Sequence, residues 1–399
     1  MNEKVYSFGP FVLEIGERRL LRDGRDVPLT GKAFDTLHLL VEGAGTLQKQ
    51  ESLIERLWPD VVVEQNNLQY NISHVRRALA DAPGIEIQTV RGQGYRLLAD
   101  VREVRRASAP AASVGLETQR MHFTKAHDGA RLAYAVVGEG PPLVKAANWL
   151  SHLEFDWPIW GHWLEALNRG HRLVRYDARG NGLSDWNPPS ITFDDFVADL
   201  ATIFDAAEVA RAPVLGISQG ASVAAAYAAR HPERVSALIL IGGCVRGWRA
   251  KRKERLDEQF EALMALMRRG WGRANPAFRQ IFTTAFFPDA AKDHMDWFNE
   301  LQRRTASPEN AAAILSALGD VDIRADLPRV KAPTLVLHSR GDAVVPMKDG
   351  IELASGIGGA RFVPIESNSH IWLASDPAWK RFTHELEGFL REISQEEPS

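Results

Sequence analysis

Residues 213–229 read PVLGISQGASVAAAYAA, and their order decides the architecture of the larger part of the chain. An apolar run, Pro213 to Ile217, leads into Gly216-Ile217-Ser218-Gln219-Gly220, and small residues, Ala221 to Ala229, follow. A strand that turns sharply into a helix needs almost no side chain two positions before and after the residue at the turn. Gly216 and Gly220 meet that need. A bare Gly-x-Ser-x-Gly is a weak signal; between a strand and a helix it predicts a nucleophile elbow with Ser218 at the turn.

A serine hydroxyl becomes nucleophilic beside a base, and the base needs an orienting carboxylate. The chain order that goes with such an elbow is serine, acid, histidine. Asp342, in Ser339-Arg-Gly-Asp342, follows a predicted strand Thr334–His338, and His370, in Asn368-Ser-His370, follows another at Arg361–Ile365. Both stand at C-terminal strand ends, where α/β sheets gather their sites. Singly, Asp342 reads equally well as a turn residue and His370 as a surface histidine; chain order and strand position, with Ser218, select them as a triad.

Further strands are predicted at Arg131–Val137, Leu143–Ala146, Arg172–Tyr176, Val214–Ile217 and Val235–Ile241. Helical segments such as Thr192–Ala207 lie between them, and a last helix runs from Asp376 to Ile393. This alternation predicts a mostly parallel sheet with helices on both faces. Residues 245–320 read as a helical lid rich in aromatic and Met side chains, among them Trp271, Phe282, Phe286 and Trp297. Most must pack the lid itself; two or three are left for an apolar or aromatic ligand. The basic run Arg246 to Arg255 reads as the solvated face of a lid helix, with a DNA contact as the other option.

Residues 121–395 resemble the α/β-hydrolase superfamily, through the elbow, the run Asp177-Ala-Arg-Gly-Asn-Gly-Leu-Ser184 and the acid-bearing strand Leu335 to Asp342. The resemblance implies an α/β-hydrolase fold and an oxyanion hole of two backbone N–H groups. One belongs to Gln219 and the other to the loop after Leu143–Ala146. Many relatives carry His-Gly in that loop, where this chain has Ala147-Asn148-Trp149-Leu150-Ser151-His152. The second donor falls at Trp149, and Asn148 in a glycine's place is expected to tilt that amide. Losing one donor costs about 100- to 1000-fold in rate.

Upstream, residues 101–120 (VREVRRASAPAASVGLETQR) have no apolar period and read as a linker between a domain at 1–100 and the hydrolase-like 121–395. The first domain opens with predicted strands Phe8–Leu13, Arg18–Leu21 and Val27–Leu29. A helix capped by Thr30 follows, then one from Gln48 to Leu57 that stops at Trp58-Pro59, and a third over about Gln65–Ala80. Leu68, Ile72, Val75 and Leu79 form the buried stripe of the third. Strands Ile85–Val90 and Tyr95–Leu98 then flank Arg91-Gly-Gln-Gly94 as a hairpin. Three helices and a hairpin make an α+β winged helix-turn-helix domain. The stripe leaves Asn66, Asn67, Tyr70, Asn71, Ser73, His74, Arg76 and Arg77 to face bases and phosphates, and the wing adds Thr89, Arg91, Tyr95 and Arg96.

The runs Asn67–Leu79 and Gln88–Arg96 resemble the C-terminal effector domain of OmpR/PhoB-type response regulators, over about residues 5–99. The resemblance implies that the helix at 65–80 enters the major groove and that the Arg91 wing meets the backbone or minor groove. Such regulators carry a receiver domain; here the input is expected from elsewhere in the chain. Residues 1–106 hold 15 Lys/Arg against 15 Asp/Glu, so modest affinity per monomer, strong salt dependence and two copies on DNA are expected.

Hydrophobic residues at 45% and charged residues at 25% are globular values, and a net charge of −3 confines any DNA binding to a local patch. The single cysteine, Cys244, excludes a disulfide framework and a cysteine metal site, and no cofactor or metal is expected. The N-terminus lacks a signal-peptide pattern and no apolar run spans a membrane, so a cytoplasmic protein is expected. The partners are double-stranded DNA and a small-molecule ligand, with a homodimer on DNA. The leading expectation is a transcription regulator whose hydrolase-like domain binds, with or without cleaving, an apolar or aromatic ester- or lactone-like ligand. The alternative is a serine hydrolase of esters, lactones or carbon–carbon bonds, with the winged helix as tether or autoregulator.

Overall fold

A computed structural model describes the chain except residues 1–4, 16–18, 23–24, 28, 30, 58–64, 81, 83, 91, 104–118, 252–253 and 397–399. The chain divides into two compact units, Met1–Ala112 and Ser113–Ser399.

In the first unit, β1 (Val5–Phe8), β2 (Phe11–Glu14), β3 (Arg19–Arg22) and β4 (Arg25–Val27) form an antiparallel meander. The strand expected over Phe8–Leu13 is therefore two strands, broken at the Gly9-Pro10 turn, and the one expected at Val27–Leu29 lies earlier, at β4. Helix α1 (Gly31–Glu42) buries Phe34, Leu37, Leu40 and Val41. Its expected cap, Thr30, and the Trp58-Pro59 stop lie outside the described residues. Between α1 and α2 (Gln50–Leu57), the two-residue β5 (Gln48–Lys49) pairs with β7 (Gly94–Leu98), and β7 pairs with β6 (Glu86–Val90). Helix α3 (Gln65–Ala78) packs Leu68, Ile72 and Val75 into one core with Leu37, Leu53 and Leu97. A short strand, β8 (Arg102–Glu103), returns to β1.

The second unit is built on an eight-stranded sheet. Its strands are β9 (Arg120–Lys125), β10 (Arg131–Val137), β11 (Pro142–Lys145), β12 (Arg172–Tyr176), β13 (Ala212–Ile217), β14 (Val235–Ile241), β15 (Thr334–Ser339) and β16 (Arg361–Ile365). The order is β16-β15-β14-β13-β11-β12-β10-β9. From β12 to β16 every pairing is parallel; β10 runs against both its neighbours. Helices α4 (Trp157–Asn168), α5 (Phe193–Ala206), α6 (Gln219–Arg230), α11 (Met347–Gly356) and α12 (Ala378–Glu396) connect or follow the strands. Central strands covered on both faces must be apolar throughout, and all of β14 is buried. The α5 N-terminus is fixed by a reciprocal cap: Asp195 N–H donates to Thr192 Oγ1 and Thr192 N–H to the Asp195 carboxylate.

Between β14 and β15 lie α7 (Glu254–Gly270), α8 (Ala277–Phe286), α9 (Lys292–Thr305) and α10 (Pro308–Gly319). The described basic residues before α7 are not a solvated helix face, as the sequence suggested. Arg246 pairs with Glu352, Arg249 with Asp320 and Lys251 with Asp349, all on the same unit. Among the described residues no helix is long and apolar enough to cross a membrane.

Candidate functional site

Ser218 ends β13 and precedes α6, with φ 54° and ψ −119°, a sparsely populated conformation for a residue with a side chain. Its N–H donates to Ile241 O, and its carbonyl accepts from Ala221 N–H. The turn is as tight as the glycine spacing demands. A Cβ on Gly216 would stand 2.2 Å from Gly220 O, and a Cβ on Gly220 would stand 2.8 Å from Ala147 O. The second contact brings the loop after β11 against the start of α6. Gln219 is the first residue of that helix, so helix geometry supplies no partner for its N–H.

Asp342 follows β15 and His370 follows β16, on the same side of the sheet as the serine turn. His370 Nδ1 bonds Asp342 Oδ2 at 2.6 Å, and both side chains are fully buried. Asp342 Oδ1 accepts from the N–H groups of Val344 and Val345. Burial by itself would raise the Asp342 pKa, but the His370 charge and hydrogen bond, with the Val345 N–H, outweigh it and hold the carboxyl below its ordinary value. The remaining ring nitrogen, His370 Nε2, is buried without a hydrogen-bond partner. A base oriented through one nitrogen and open at the other is the arrangement that proton abstraction requires. The lid holds the ring as well: His370 N–H donates to Phe286 O, and the Phe286 ring meets the imidazole edge-on at 4.9 Å.

A second histidine, His338, was not expected here. Its Nε2 lies 2.8 Å from Val345 O and 3.6 Å from Asp342 Oδ2, and burial pushes its pKa down. A neutral His338 donating to Val345 O braces the Asp342 turn from behind. At the end of an apolar strand it looks like any core histidine.

Trp149 is buried, stacked on Phe282 at 5.9 Å and edge-on to Trp271 at 6.2 Å. The lid aromatics thus pack against the loop that would carry the second oxyanion donor. Asn148 is not in the left-handed region that would call for glycine; Leu150, at φ 58°, is. Below this loop, the buried Asp156, Arg175 and Asp177 and the half-buried Lys145 form a polar floor. Arg175 Nη1 bonds Asp156 Oδ2 at 3.1 Å, and Asp177 Oδ2 accepts from Leu153 and Leu183 N–H. Burial pushes Asp177 up to about 7. The Asp-x-Arg-Gly run has a structural use: Arg179 is fully buried and forks onto Asp199, with a further bond to Asp128.

In the first unit, Asn67, Tyr70, Ser73, Arg76 and Arg77 of α3 are exposed, and His74 is half-buried against the Tyr70 ring at 4.4 Å. Two expected contacts do not face outward. Asn71 is buried, its Nδ2 donating to Asn67 O one turn back, and Tyr95 is buried where β7 pairs with Gln48 of β5. Arg76 reaches the hairpin, donating to Ile87 O and to Thr89 Oγ1 at 2.7 Å. Thr89 is exposed and Arg96 half-buried. Arg91 and the Asn66 side chain lie outside the described residues.

Residues 151–377 match the family described as alpha/beta hydrolase fold, and residues 24–97 match that described as transcriptional regulatory protein, C terminal. The chain is similar to AB hydrolase superfamily protein YisY of Bacillus subtilis, 27% identical over 258 residues, which cover 62% of this chain and 92% of YisY. It is similar too to the 2-hydroxy-6-oxononadienedioate/2-hydroxy-6-oxononatrienedioate hydrolase of Escherichia coli, 27% identical over 260 residues, 61% of this chain and 82% of that protein. A solved hydrolase from Pseudomonas aeruginosa PA01 superposes with a TM-score of 0.56 at 27% identity, over 69% of this chain and 98% of its own.

Proposed function

From the premise that the chain belongs to the α/β-hydrolase family and carries an OmpR/PhoB-type DNA-binding domain, we propose a transcription regulator whose hydrolase domain takes up and cleaves a small apolar or aromatic ester- or lactone-like compound. The observation that carries this is the His370–Asp342 pair, bonded at 2.6 Å and open at Nε2, on a sheet whose elbow holds Ser218 at positive φ.

In this reading His370 Nε2 takes the Ser218 proton as Oγ attacks the acyl carbon, and Asp342 stabilises the imidazolium. The N–H groups of Gln219 and Trp149 hold the oxyanion, and His370 returns the proton to the leaving group. Water then repeats the sequence on the acyl-enzyme. The aromatic wall of Trp149, Trp271 and Phe282 supports an apolar or aromatic acyl group. On DNA, two copies place Asn67, Ser73 and Arg77 of α3 at base edges and phosphates.

Intact-mass analysis after exposure to a fluorophosphonate tests the chemistry. A single adduct on the parent and none on Ser218→Ala is expected; an adduct that survives Ser218→Ala would remove the assignment. DNA affinity with and without a turned-over ester, on sites selected from a random library, tests the regulation: affinity indifferent to ligand would leave it without a mechanism.

A further inference from the structure

We propose that Lys145 is a positioning residue for the oxyanion loop, fixing through Asn148 the direction of the Trp149 amide. This rests on the reading of Ser218 as nucleophile.

Lys145 ends β11 in register with Arg175 on one side and Leu215 on the other. Its Nζ donates to Asn148 Oδ1 at 2.5 Å, and Asn148 Nδ2 donates to Trp149 O at 3.1 Å. The second bond closes a ring that contains the Asn148–Trp149 peptide itself, the one whose N–H is the candidate donor. Lys145 anchors that ring from the sheet. Such an anchor has a purpose, because the next residue, Leu150, is held at φ 58° and a strained loop keeps its shape only when its surroundings over-determine it. Asn148 thus does the opposite of what its place in the sequence suggests: it braces the amide that it was expected to tilt.

Three charged or titratable groups face Lys145: Asp156 at the start of α4, Arg175 on β12 and Asp177 just after β12. Both carboxylates already hold other donors, Asp156 those of Arg175 and His152 N–H, and Asp177 those of Leu153 and Leu183. A cavity of about 30 Å³, room for a water molecule or two, touches Lys145, Asn148, Arg175, Ile217 and Ile371. Ile217 and Ile371 are the chain neighbours of Ser218 and His370, so the cavity beside the anchor borders the segments that carry the reacting residues. Removal from water brings the Lys145 ammonium down to about 8, against the pull of Asp156. Above that pH the charge-assisted bond to Asn148 becomes an ordinary one, about half as strong.

The test is turnover of p-nitrophenyl acetate and fluorophosphonate labelling by the full chain, from about pH 6 to about pH 10, for the parent, Lys145→Met, Lys145→Arg and Asn148→Ala. The parent rate is expected to fall above about pH 8, as Lys145 loses its proton. Lys145→Met should lower kcat about 10- to 100-fold at nearly constant KM and erase the falling limb. Lys145→Arg, charged throughout, should recover most of kcat and keep it at high pH. Lys145→Met, folded by circular dichroism, with the parent's kcat and pH profile would overturn the proposal. If that variant does not fold, Asn148→Ala with the parent's kcat overturns it equally. A parent that never labels at Ser218 sinks the nucleophile reading instead, a distinct outcome.

Discussion

Gly242 follows β14 at φ +57°, and a Cβ built on it would stand 2.9 Å from His370 Cε1, 3.3 Å from His370 Nδ1 and 3.7 Å from Asp342 Oδ2. Gly242→Ala therefore acts on the pair by two routes. The left-handed backbone costs alanine about 1–2 kcal/mol. The contact at 2.9 Å must open by about half an ångström to reach ordinary van der Waals separation, and His370, held by Asp342 and by Phe286 O, is what has to move. At about 2–4 °C per kcal/mol, the hydrolase unit should melt roughly 2–8 °C lower. A misplacement of about 1 Å at a reacting group costs about 100-fold, so a shift of half that size should slow fluorophosphonate labelling of Ser218 about 10-fold or more. The assay is the second-order labelling rate well below the melting point, with melting followed on the same samples. Gly388→Ala is the control. Gly388 lies within α12 with open space around its Cβ position, so alanine there should raise stability by about 0.5–1 kcal/mol and leave labelling alone. A folded Gly242→Ala protein that labels at the parent rate would refute the geometry, because the imidazole would then not lie against Gly242 in the reacting state.

Arg76→Ala should weaken DNA binding about 10-fold by freeing the hairpin from α3, yet leave the slope of log affinity against log salt unchanged. A slope smaller by about one would make Arg76 a phosphate contact instead. Asn71→Ala should leave affinity within about twofold, since its amide is spent inside the helix, while Asn67→Ala should lose about 1–3 kcal/mol on a selected site and little on random DNA; equal losses at both positions would contradict the burial of Asn71. Asp177 is raised from 3.8 to about 7 in the folded chain. Between those values the native state holds a proton that the unfolded chain has released, so stability falls as pH rises from about 4 to about 7. Urea midpoints at pH 5 and pH 8 should therefore differ less for Asp177→Asn than for the parent, and an equal difference would count against the shift.

The parallel strands were legible because strands buried on both faces read as apolar runs, as Val235–Ile241 does. β9 was not, because five of its six residues are exposed, Met121 and Phe123 among them, so its brief apolar alternation marks no buried face. β5 and β8 are two residues each, too short for any period. That hidden β5 also bears on Tyr95, which was misplaced: pairing with Gln48 adds a third strand to the hairpin, and Tyr95 belongs to the core of the unit rather than to the wing's outer face. Asn71 stands three residues after Leu68 and four before Val75, within the width of a packed helix face, and a polar side chain there reads as outward until its bond to Asn67 O is seen. At the candidate site, Ser218, Asp342 and His370 were selected by their order along the chain, which the topology imposes. Lys145, Asp156 and Arg175 left no such trace, because three charges folded under a loop come from separate segments, and nothing local distinguishes them from surface residues.

Whether the hydrolase unit only binds or also reacts bears on what a regulator would gain from it. A pocket that only binds needs neither a serine at φ 54°, costing about 1–3 kcal/mol, nor a buried imidazole nitrogen without a partner, which costs about 1–3 kcal/mol more. It has no use for an aspartate buried behind that imidazole and spanned by two backbone N–H groups. Replacing Ser218 and His370 by residues without these costs would stabilise the fold and spare the pocket, and such exchanges are readily found when nothing opposes them. Buried unpartnered polar atoms also occur at His338 and Asn181, and a positive φ at Leu150, but at the Ser218, Asp342 and His370 turns both kinds of cost fall together on one site. That concentration favours a unit that cleaves what it binds. A regulator built this way responds to the supply of its ligand against its own rate of destroying it, so the occupied state decays with kcat as its clock. Ser218→Ala should then lengthen the response to a ligand pulse without changing the affinity for ligand, and a response of unchanged duration would point back to binding alone.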